Sequence, residues 1–322
     1  MTPDWIVHGL GELRSVRSLR DLMIVGGKTA HILPRMILPL AGRAKLPGSL
    51  QIEPTNHCNL NCTCCSLSRS QRARGYMNLG LFQKIVDDAS QVGVRLVHMY
   101  LHGEPMLHPQ IVEMIRCVKS KGLAVRLTTN GMLFNRSTTE AILRSGVDRT
   151  DHIVFSVLGH SRAVHEGIMR GVDHDTVLEN IHGVLALRKD LGMNGPVVEV
   201  VFYTMPENEH EKERYYNHWR GVVDHVHVVK TISKQFSEFG GETQAAVPVR
   251  TNTCVNLWER MAVFWDGDVT TCIADQDGMY RLGNLGEQSI KDIWNGEVLS
   301  SIRRLHKEKK FASLPLCSRC DW

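Results

Sequence analysis

The sequence predicts an α/β fold: a partial (β/α)6 barrel of the TIM type, followed by a small cysteine-rich extension of hairpin and helix. Short β-rich runs alternate with helical stretches from residue 50 onward, which indicates parallel strands joined by helices. Seven of the nine cysteines fall into two spaced sets, one after the first β-rich run and one near the end of the chain. A chain of 322 residues exceeds the usual single-domain length of roughly 100–250 residues, so one large domain with an appended unit fits best.

Three segments follow from this pattern. We expect an N-terminal amphipathic leader over residues 1–47, the barrel over residues 48–235 and the cysteine-rich extension over residues 245–322. The leader mixes apolar and basic residues at helical spacing, which favours packing on the main domain over contact with a membrane surface or a guide peptide. It is too short to hold a separate peptide-recognition domain.

Composition narrows the function classes. A net charge of +4 with both signs interspersed shows no basic stripe, so no nucleic-acid partner is predicted. The longest apolar runs fall far short of the roughly 20 residues of a membrane span, and the N-terminus lacks a secretory signal. We therefore expect a cytoplasmic protein whose cysteines bind a metal or cluster rather than form disulfides.

The barrel elements are predicted in strict alternation. The β-rich runs are Leu50–Glu53, Val94–Leu101, Ala124–Thr129, His152–Val157, Val197–Tyr203 and Val223–Lys230. The helical patterns between them are Leu79–Gln91, Pro109–Lys121, Ser137–Ser145, Thr176–Leu191 and Asn208–Trp219. In such a barrel the chemistry gathers at the C-terminal ends of the strands, and the unusual residues of this sequence lie there.

The first cysteine set, Cys58, Cys62 and Cys65, has the spacing CxxxCxxC directly after the first strand. Three thiolates on one loop can hold three irons of a 4Fe-4S cube and leave the fourth iron open to a chelating ligand. A zinc site or reactive thiols are the weaker alternatives. Cys64 could form a CxC pair but is more simply a bystander, and Cys117 is most simply a buried apolar residue.

The second set consists of Cys254, Cys272, Cys317 and Cys320. The Asp266-Gly267 pair between β-formers predicts a hairpin that brings Cys254 and Cys272 to one end, where the terminal CxxC completes a four-thiolate site. Geometry alone permits either zinc or an iron–sulfur cluster.

From about Leu50 to its C-terminus the sequence resembles the radical S-adenosylmethionine (radical SAM) superfamily. The segment His102 to Pro105 is similar to the family's GGEP motif, and the resemblance implies that Gly103, Glu104 and Pro105 bind the amino group of SAM. The residues that match the other SAM-binding segments of the family are Thr129, Asn130 and Ser156. Leu158 stands where relatives often have aspartate, which removes a carboxylate from the pocket.

The C-terminal region resembles the SPASM/Twitch extensions of the same superfamily, through the segments 282–285 and 289–294. Four cysteines match the shorter Twitch form, which implies a single auxiliary 4Fe-4S cluster with full thiolate ligation. Such a cluster leaves no open iron, so we expect it to transfer electrons or shape the pocket rather than bind substrate directly.

The resemblance implies reductive cleavage of SAM to a 5′-deoxyadenosyl radical, driven by a low-potential donor such as flavodoxin or ferredoxin. We expect hydrogen abstraction from a polar small molecule (an amino sugar, aminocyclitol or nucleoside), with net oxidation or a related decarboxylation, dehydration or epimerisation. The alternatives are modification of a ribosomal peptide or protein side chain, and a cluster-bearing redox or binding protein without turnover. Tyr100, Tyr203, His225 and His227 lie near pocket-lining strand positions but receive no role from alternation alone.

Overall fold

The computed structural model describes residues 46–230, 250, 252–318 and 320. The chain divides between Lys45 and Leu46, and the barrel and the extension both belong to the second unit. The predicted leader lies almost wholly outside the described residues, as does the connection near residues 235–245.

The strands are β1 (Ser49–Ile52), β2 (Leu96–Met99), β3 (Ala124–Thr129), β4 (His152–Ser156), β5 (Val197–Thr204), β6 (His225–Lys230), β7 (Arg260–Val263), β8 (Asp268–Thr270) and β9 (Gly283–Asn284). The α-helices are α1 (Leu79–Gln91), α2 (Ile111–Ser120), α3 (Arg136–Leu143), α4 (Arg162–Ile168), α5 (His174–Asp190), α6 (Lys212–Trp219), α7 (Ile290–Trp294), α8 (Glu297–Lys307) and α9 (Pro315–Ser318). Short 3-10 turns include Pro105–Leu107, Glu209–Glu211 and Val255–Trp258.

One sheet contains all nine of these strands in the order β6-β5-β4-β3-β2-β1-β7-β8-β9. Strands β1 to β6 pair in parallel with their sequence neighbours, which confirms the partial barrel. Strand β7 of the extension also pairs in parallel with β1, so the extension continues the barrel sheet instead of standing apart from it. The sequence did not predict this pairing, because no local pattern connects strands more than 200 residues apart.

The helix boundaries follow local capping chemistry. Helix α1 begins where Asn78 accepts hydrogen bonds from the next turn, and its range matches the predicted one. Helix α5 begins two residues before its predicted start, because Asp173 accepts from the backbone N–H of Thr176. The helix predicted from Asn208 opens as a 3-10 turn and becomes α-helical only at Lys212.

The two faces of the parallel sheet differ in chemistry. On the helix side, Phe155 of β4 packs on Phe134, and Phe202 of β5 packs on Tyr215 of α6 with ring centroids 4.6 Å apart. These four side chains are at most 1% exposed. Because successive strand residues point to opposite faces, the intervening positions line the other side of the sheet. We call that side the lumen face; its polar side chains include those of Gln51, Arg126, His152, Glu199, Tyr203 and His227.

Within the described part of the chain, no helix is both long enough and apolar enough to cross a membrane.

Candidate active site

The first cysteine set lies on a loop that leaves β1 and is closed by side-chain bonds. Thr55 donates its hydroxyl to the carbonyl of Gly75 at 2.6 Å. Asn56 donates to the carbonyl of Ala73 at 2.8 Å and accepts from the N–H of Gly75 at 2.9 Å. Thr55 and Asn56 are fully buried, so the base of the loop is fixed before the cysteines begin.

The structure brings Cys58, Cys62 and Cys65 together. Burial raises the pKa of the Cys58 thiol to about 11, with the nearby Glu104 and Cys65 charges adding to the rise. Burial, and then the neighbouring cysteine charges, also raise the pKa of Cys62. Such crowded thiols ionise when cationic iron is among them, and the N–H of Leu60 points at the Cys58 sulfur, 3.4 Å away. The donor set therefore fits a cluster held by three thiolates.

Cys64 lies close to Cys62 and Cys65 and also to residues outside the cluster loop. Burial raises its pKa to about 12, and the adjacent charges are those of Cys65 and Glu207, which follows β5. The Cys64 charge also acts on Tyr203 at the end of β5. Cys64 thus lies between the other cysteines of the loop and the end of β5, and its role as a bystander stays a prediction.

Three of the predicted SAM-binding residues meet at one carboxylate. Glu104 accepts from the Thr129 hydroxyl at 2.8 Å and from the backbone N–H groups of Asn130 at 2.7 Å and Met106 at 3.1 Å. Burial raises its pKa to about 7 despite these three donors. A carboxylate offers about four acceptor positions, so one is left for a cationic group such as the SAM ammonium. Glu104 thus links the ends of β2 and β3, and this group of residues fits SAM.

Gly103 lies against the backbone of the cluster loop. Its φ of +78° is a left-handed conformation, and a Cβ atom would lie 2.5 Å from the carbonyl oxygen of Thr55 and 2.6 Å from that of His57. The next residue, Glu104, donates its N–H to the same His57 carbonyl at 2.8 Å. Glycine is required here because the two loops touch backbone to backbone.

The other predicted residues lie at neighbouring strand ends. Asn130 donates its amide to the Asn59 side chain at 2.8 Å, which joins the end of β3 to the cluster loop. Ser156 ends β4 next to Phe155, the register partner of Thr129. Leu158 is 5% exposed, and its carbonyl accepts from Asn208 at 2.9 Å, so an apolar side chain suits this position.

A buried ionic network joins the cluster loop to the extension, and sequence reasoning missed it. Arg72 donates two hydrogen bonds of 2.8 Å to the Glu53 carboxylate and a third of 2.7 Å to the carbonyl of Gln276. His102 lies 3.2 Å from Glu53 through Nδ1 and 3.1 Å from the carbonyl of Ile273 through Nε2. Burial alone would raise the pKa of Glu53, but hydrogen bonds from His102 and Arg72 hold it below its ordinary value. The one sequence signal was histidine in place of the first glycine of GGEP.

The second cysteine set also converges. The predicted hairpin is present: β7 and β8 pair antiparallel around a turn in which Gly267 has φ +89°. Burial raises the pKa values of Cys272 and Cys317 to about 12, and the charges of Cys254 and Cys320 add to the rise of both. Four converging thiols fit the chemistry of a fully ligated cluster. Across residues 46–230, 250, 252–318 and 320, no three His, Cys, Asp or Glu side chains are arranged to hold a single metal ion.

Comparison with known families decides the broad assignment. The radical SAM superfamily profile matches residues 52–217, just over half of the chain. The chain belongs to the radical SAM superfamily. A second profile, the SPASM iron–sulfur cluster-binding domain, matches residues 254–321. This radical SAM protein is therefore an enzyme that uses SAM, a 4Fe-4S cluster and an auxiliary cluster, and its superfamily draws electrons from an external reductant.

Relatives over most of the chain are distant. A tungsten-containing aldehyde ferredoxin oxidoreductase cofactor-modifying protein of Pyrococcus furiosus is 24% identical over 314 residues, which covers 84% of this chain and 87% of the relative. The S-adenosyl-L-methionine-dependent 2-deoxy-scyllo-inosamine dehydrogenase of Niallia circulans is 22% identical, covering 86% of this chain and 94% of that enzyme.

Solved structures of radical SAM proteins share the fold. BtrN in complex with AdoMet and 2-DOIA superposes with a TM-score of 0.56 at 17% identity, covering 86% of this chain and 94% of BtrN. Streptococcus suis SuiB bound to S-adenosylmethionine gives a TM-score of 0.65 at 18% identity, covering 95% of this chain and 79% of SuiB. At these identities, both comparisons show a shared fold.

Proposed function

We propose that this radical SAM enzyme oxidises a secondary alcohol of a polar small molecule, such as an aminocyclitol, amino sugar or nucleoside, by two electrons. The polar lining of the lumen face carries the proposal. Gln51 donates to the Tyr100 hydroxyl at 3.1 Å. Burial, and then the proximity of Tyr100, raise the pKa of Tyr203 to about 12, so these two phenols lie near each other. Hydroxyl, amide, imidazole and guanidinium groups at these positions suit a hydroxyl-rich ligand better than an apolar one.

The relatives support this choice. The Niallia circulans protein is by its name a dehydrogenase of an aminocyclitol, and its likeness to this chain runs through both the barrel and the extension. A fully ligated auxiliary cluster would be able to accept the second electron of such an oxidation. We accordingly assign Cys58, Cys62 and Cys65 to the SAM-binding cluster. The ligands assigned to a single auxiliary cluster are Cys254, Cys272, Cys317 and Cys320.

When bound, SAM and its cluster supply a 5′-deoxyadenosyl radical that removes one hydrogen atom from the substrate. The protein's own residues orient the reactants. Glu104, Thr129 and Asn130 would hold the methionine end of SAM, while the Asn130–Asn59 bond fixes the cluster loop against the end of β3. The lumen side chains would position one substrate hydrogen and keep water from the radical.

Modification of a peptide side chain is the second candidate. The observation that favours it is the likeness to SuiB, which is also known in a complex with its precursor peptide SuiA, at a TM-score of 0.60. A peptide substrate would place one side chain, rather than a whole small molecule, against the lumen face.

The test is anaerobic incubation of the iron-reconstituted protein with SAM and dithionite, with 5′-deoxyadenosine measured by chromatography. Separate pools of aminocyclitols (including 2-deoxy-scyllo-inosamine), amino sugars, nucleosides and peptides would be added, and Cys58→Ala is the control. We expect 5′-deoxyadenosine to rise several-fold with one small-molecule pool, together with a carbonyl product. A rise with the peptide pool alone would favour the second candidate, and cleavage without a carbonyl product would refute the oxidation.

A further inference from the structure

Four side chains from four adjacent strands meet on the lumen face around one carboxylate. Glu199 of β5, 2% exposed, accepts from Arg126 of β3, from Nδ1 of His152 of β4 at 2.6 Å and from Nε2 of His227 of β6 at 3.1 Å. The three donors are more open, with side chains 26%, 29% and 42% exposed respectively. A buried anion thus lies behind cationic and imidazole groups that face open space.

The carboxylate stays ionised in this setting. Burial would raise the pKa of Glu199, but hydrogen bonds from His152 and His227 and the charge of Arg126 hold it well below its ordinary value. An ionised carboxylate can only accept hydrogen bonds, so it selects the tautomer in which Nδ1 of His152 carries the proton. In the neutral ring, the other nitrogen, Nε2, then presents its lone pair. Among the described residues no hydrogen-bond partner of that nitrogen is found.

His152 begins β4, at the end of the lumen face opposite the strand ends where SAM is expected. Ser156 lies four residues beyond His152 on the same face of β4, which is about 13 Å at roughly 3.3 Å per residue. Ser156 is at the strand end where SAM is expected, and β4 is a central strand of the barrel, whereas β6 ends the described sheet. A ring-sized substrate placed below SAM would therefore have His152 within its reach.

We propose that Nε2 of His152, oriented by Glu199, accepts the hydroxyl proton of the substrate during the oxidation; this rests on the proposed function. Removal of the carbon-bound hydrogen leaves a carbon radical that still carries its hydroxyl group. Transfer of the hydroxyl proton to Nε2 and of one electron to the auxiliary cluster converts that centre into a ketone. The net reaction converts the alcohol and SAM into the ketone, 5′-deoxyadenosine, methionine and one proton, so atoms and charge balance. The buried Glu199 carboxylate, 2.6 Å from Nδ1, fixes the orientation of the His152 ring.

A purely structural role is the competing explanation, since a buried ion pair can also hold neighbouring strands together. His152→Gln distinguishes a structural role from proton transfer, because glutamine can still donate to Glu199 but has no basic nitrogen. His182→Gln is the matched control, since His182 is exposed on α5, in the helix layer. Thermal unfolding and iron content of each loaded variant would show that the fold and clusters persist.

The experiment is a single-turnover assay with SAM, dithionite and 2-deoxy-scyllo-inosamine, glucosamine and adenosine as probes, quantifying 5′-deoxyadenosine and ketone separately. We expect His152→Gln to form 5′-deoxyadenosine within twofold of wild type, to lose at least tenfold in ketone, and to regain ketone with added imidazole. Equal ketone yields from His152→Gln and His182→Gln would overturn this role while leaving the oxidation intact. So would a ketone loss that imidazole does not restore. Failure of the wild type to oxidise any probe would instead overturn the proposed function, and this inference with it.

Discussion

Arg72→Met should be among the most destabilising single changes in the barrel. The Arg72 side chain is 11% exposed and its partner Glu53 is fully buried. The substitution removes both hydrogen bonds to Glu53 and the bond to the carbonyl of Gln276, while methionine keeps an apolar contact with Phe264, whose ring lies 3.7 Å from the guanidinium carbon. Among the described residues, the buried carboxylate would then retain only His102 as a basic partner.

The magnitude follows from that geometry. Removing one partner of a buried ion pair costs about 3–5 kcal/mol in the free energy of unfolding, because the other charge is left without compensation. His102 still faces Glu53, so we expect the lower end, about 3 kcal/mol. Arg72→Met combined with Glu53→Gln should recover much of this loss, since a neutral amide has a far smaller desolvation cost.

The assay is urea unfolding of the anaerobic, iron-loaded, full-length proteins, followed by far-UV circular dichroism. Arg144→Met is the matched control: Arg144 pairs with Glu140 on the exposed surface of α3, and such pairs contribute at most about 0.5 kcal/mol. A decrease in the free energy of unfolding for Arg72→Met that is no larger than the decrease for Arg144→Met would refute the reasoning. Iron analysis provides a second readout, because the lost bond to Gln276 joins the cluster loop to the segment that follows Cys272.

Three further predictions address single residues. Gly103→Ala places Cβ 2.5 Å from a backbone oxygen at φ +78°, so it should weaken SAM binding at least tenfold in equilibrium dialysis. The control, Gly93→Ala, has a similar φ of +82° but lies in open space, and its SAM affinity should stay within twofold of wild type. Equal affinities of the two variants would contradict the packing argument. Burial and the charge of His174 lower the pKa of His165 to about 3, so below about pH 6.5 the unfolded chain binds the additional proton. The stabilisation from burying neutral His165 is therefore complete above pH 6.5 and is lost at up to about 1.4 kcal/mol per pH unit as the pH falls toward 3. In urea titrations at pH 7.5 and 5.5, His165→Leu should reduce this dependence of the free energy of unfolding on pH. Cys64→Ala should keep wild-type iron content and SAM cleavage while Cys65→Ala loses both, and iron loss from Cys64→Ala would make Cys64 a ligand.

Most of the barrel could be predicted because its signals are local. Each strand from β1 to β6 is a short β-rich run, and five of the six described helices between them repeat apolar residues at helical spacing, whereas α4 was not predicted. The hairpin at Gly267 was predicted for the same reason, since an Asp-Gly turn is encoded in adjacent residues. Boundaries moved by a few residues where a capping side chain such as Asp173 decided them.

The site was predictable only in part. Spacing singled out the cysteines, and resemblance singled out Glu104 and Asn130, but neither showed that the Glu104 carboxylate accepts the N–H of Asn130. The group of side chains around Glu199 on the lumen face was not predicted at all. Arg126, His152 and Glu199 are ordinary polar residues in three separate strands, and only the shared parity of paired strands places them on one face.

The sequence by itself determined most of the order of strands and helices, the two thiol sets and the superfamily resemblance, because each is recorded in residue types and spacings along the chain. Tertiary structure alone decided that β7 pairs with β1, that Arg72 and His102 contact the extension, and that Glu199 orients His152. These contacts join residues far apart in sequence, and they form only after the backbone has paid the entropy of closing long loops. Their identity depends on strand register and burial, which no local pattern records.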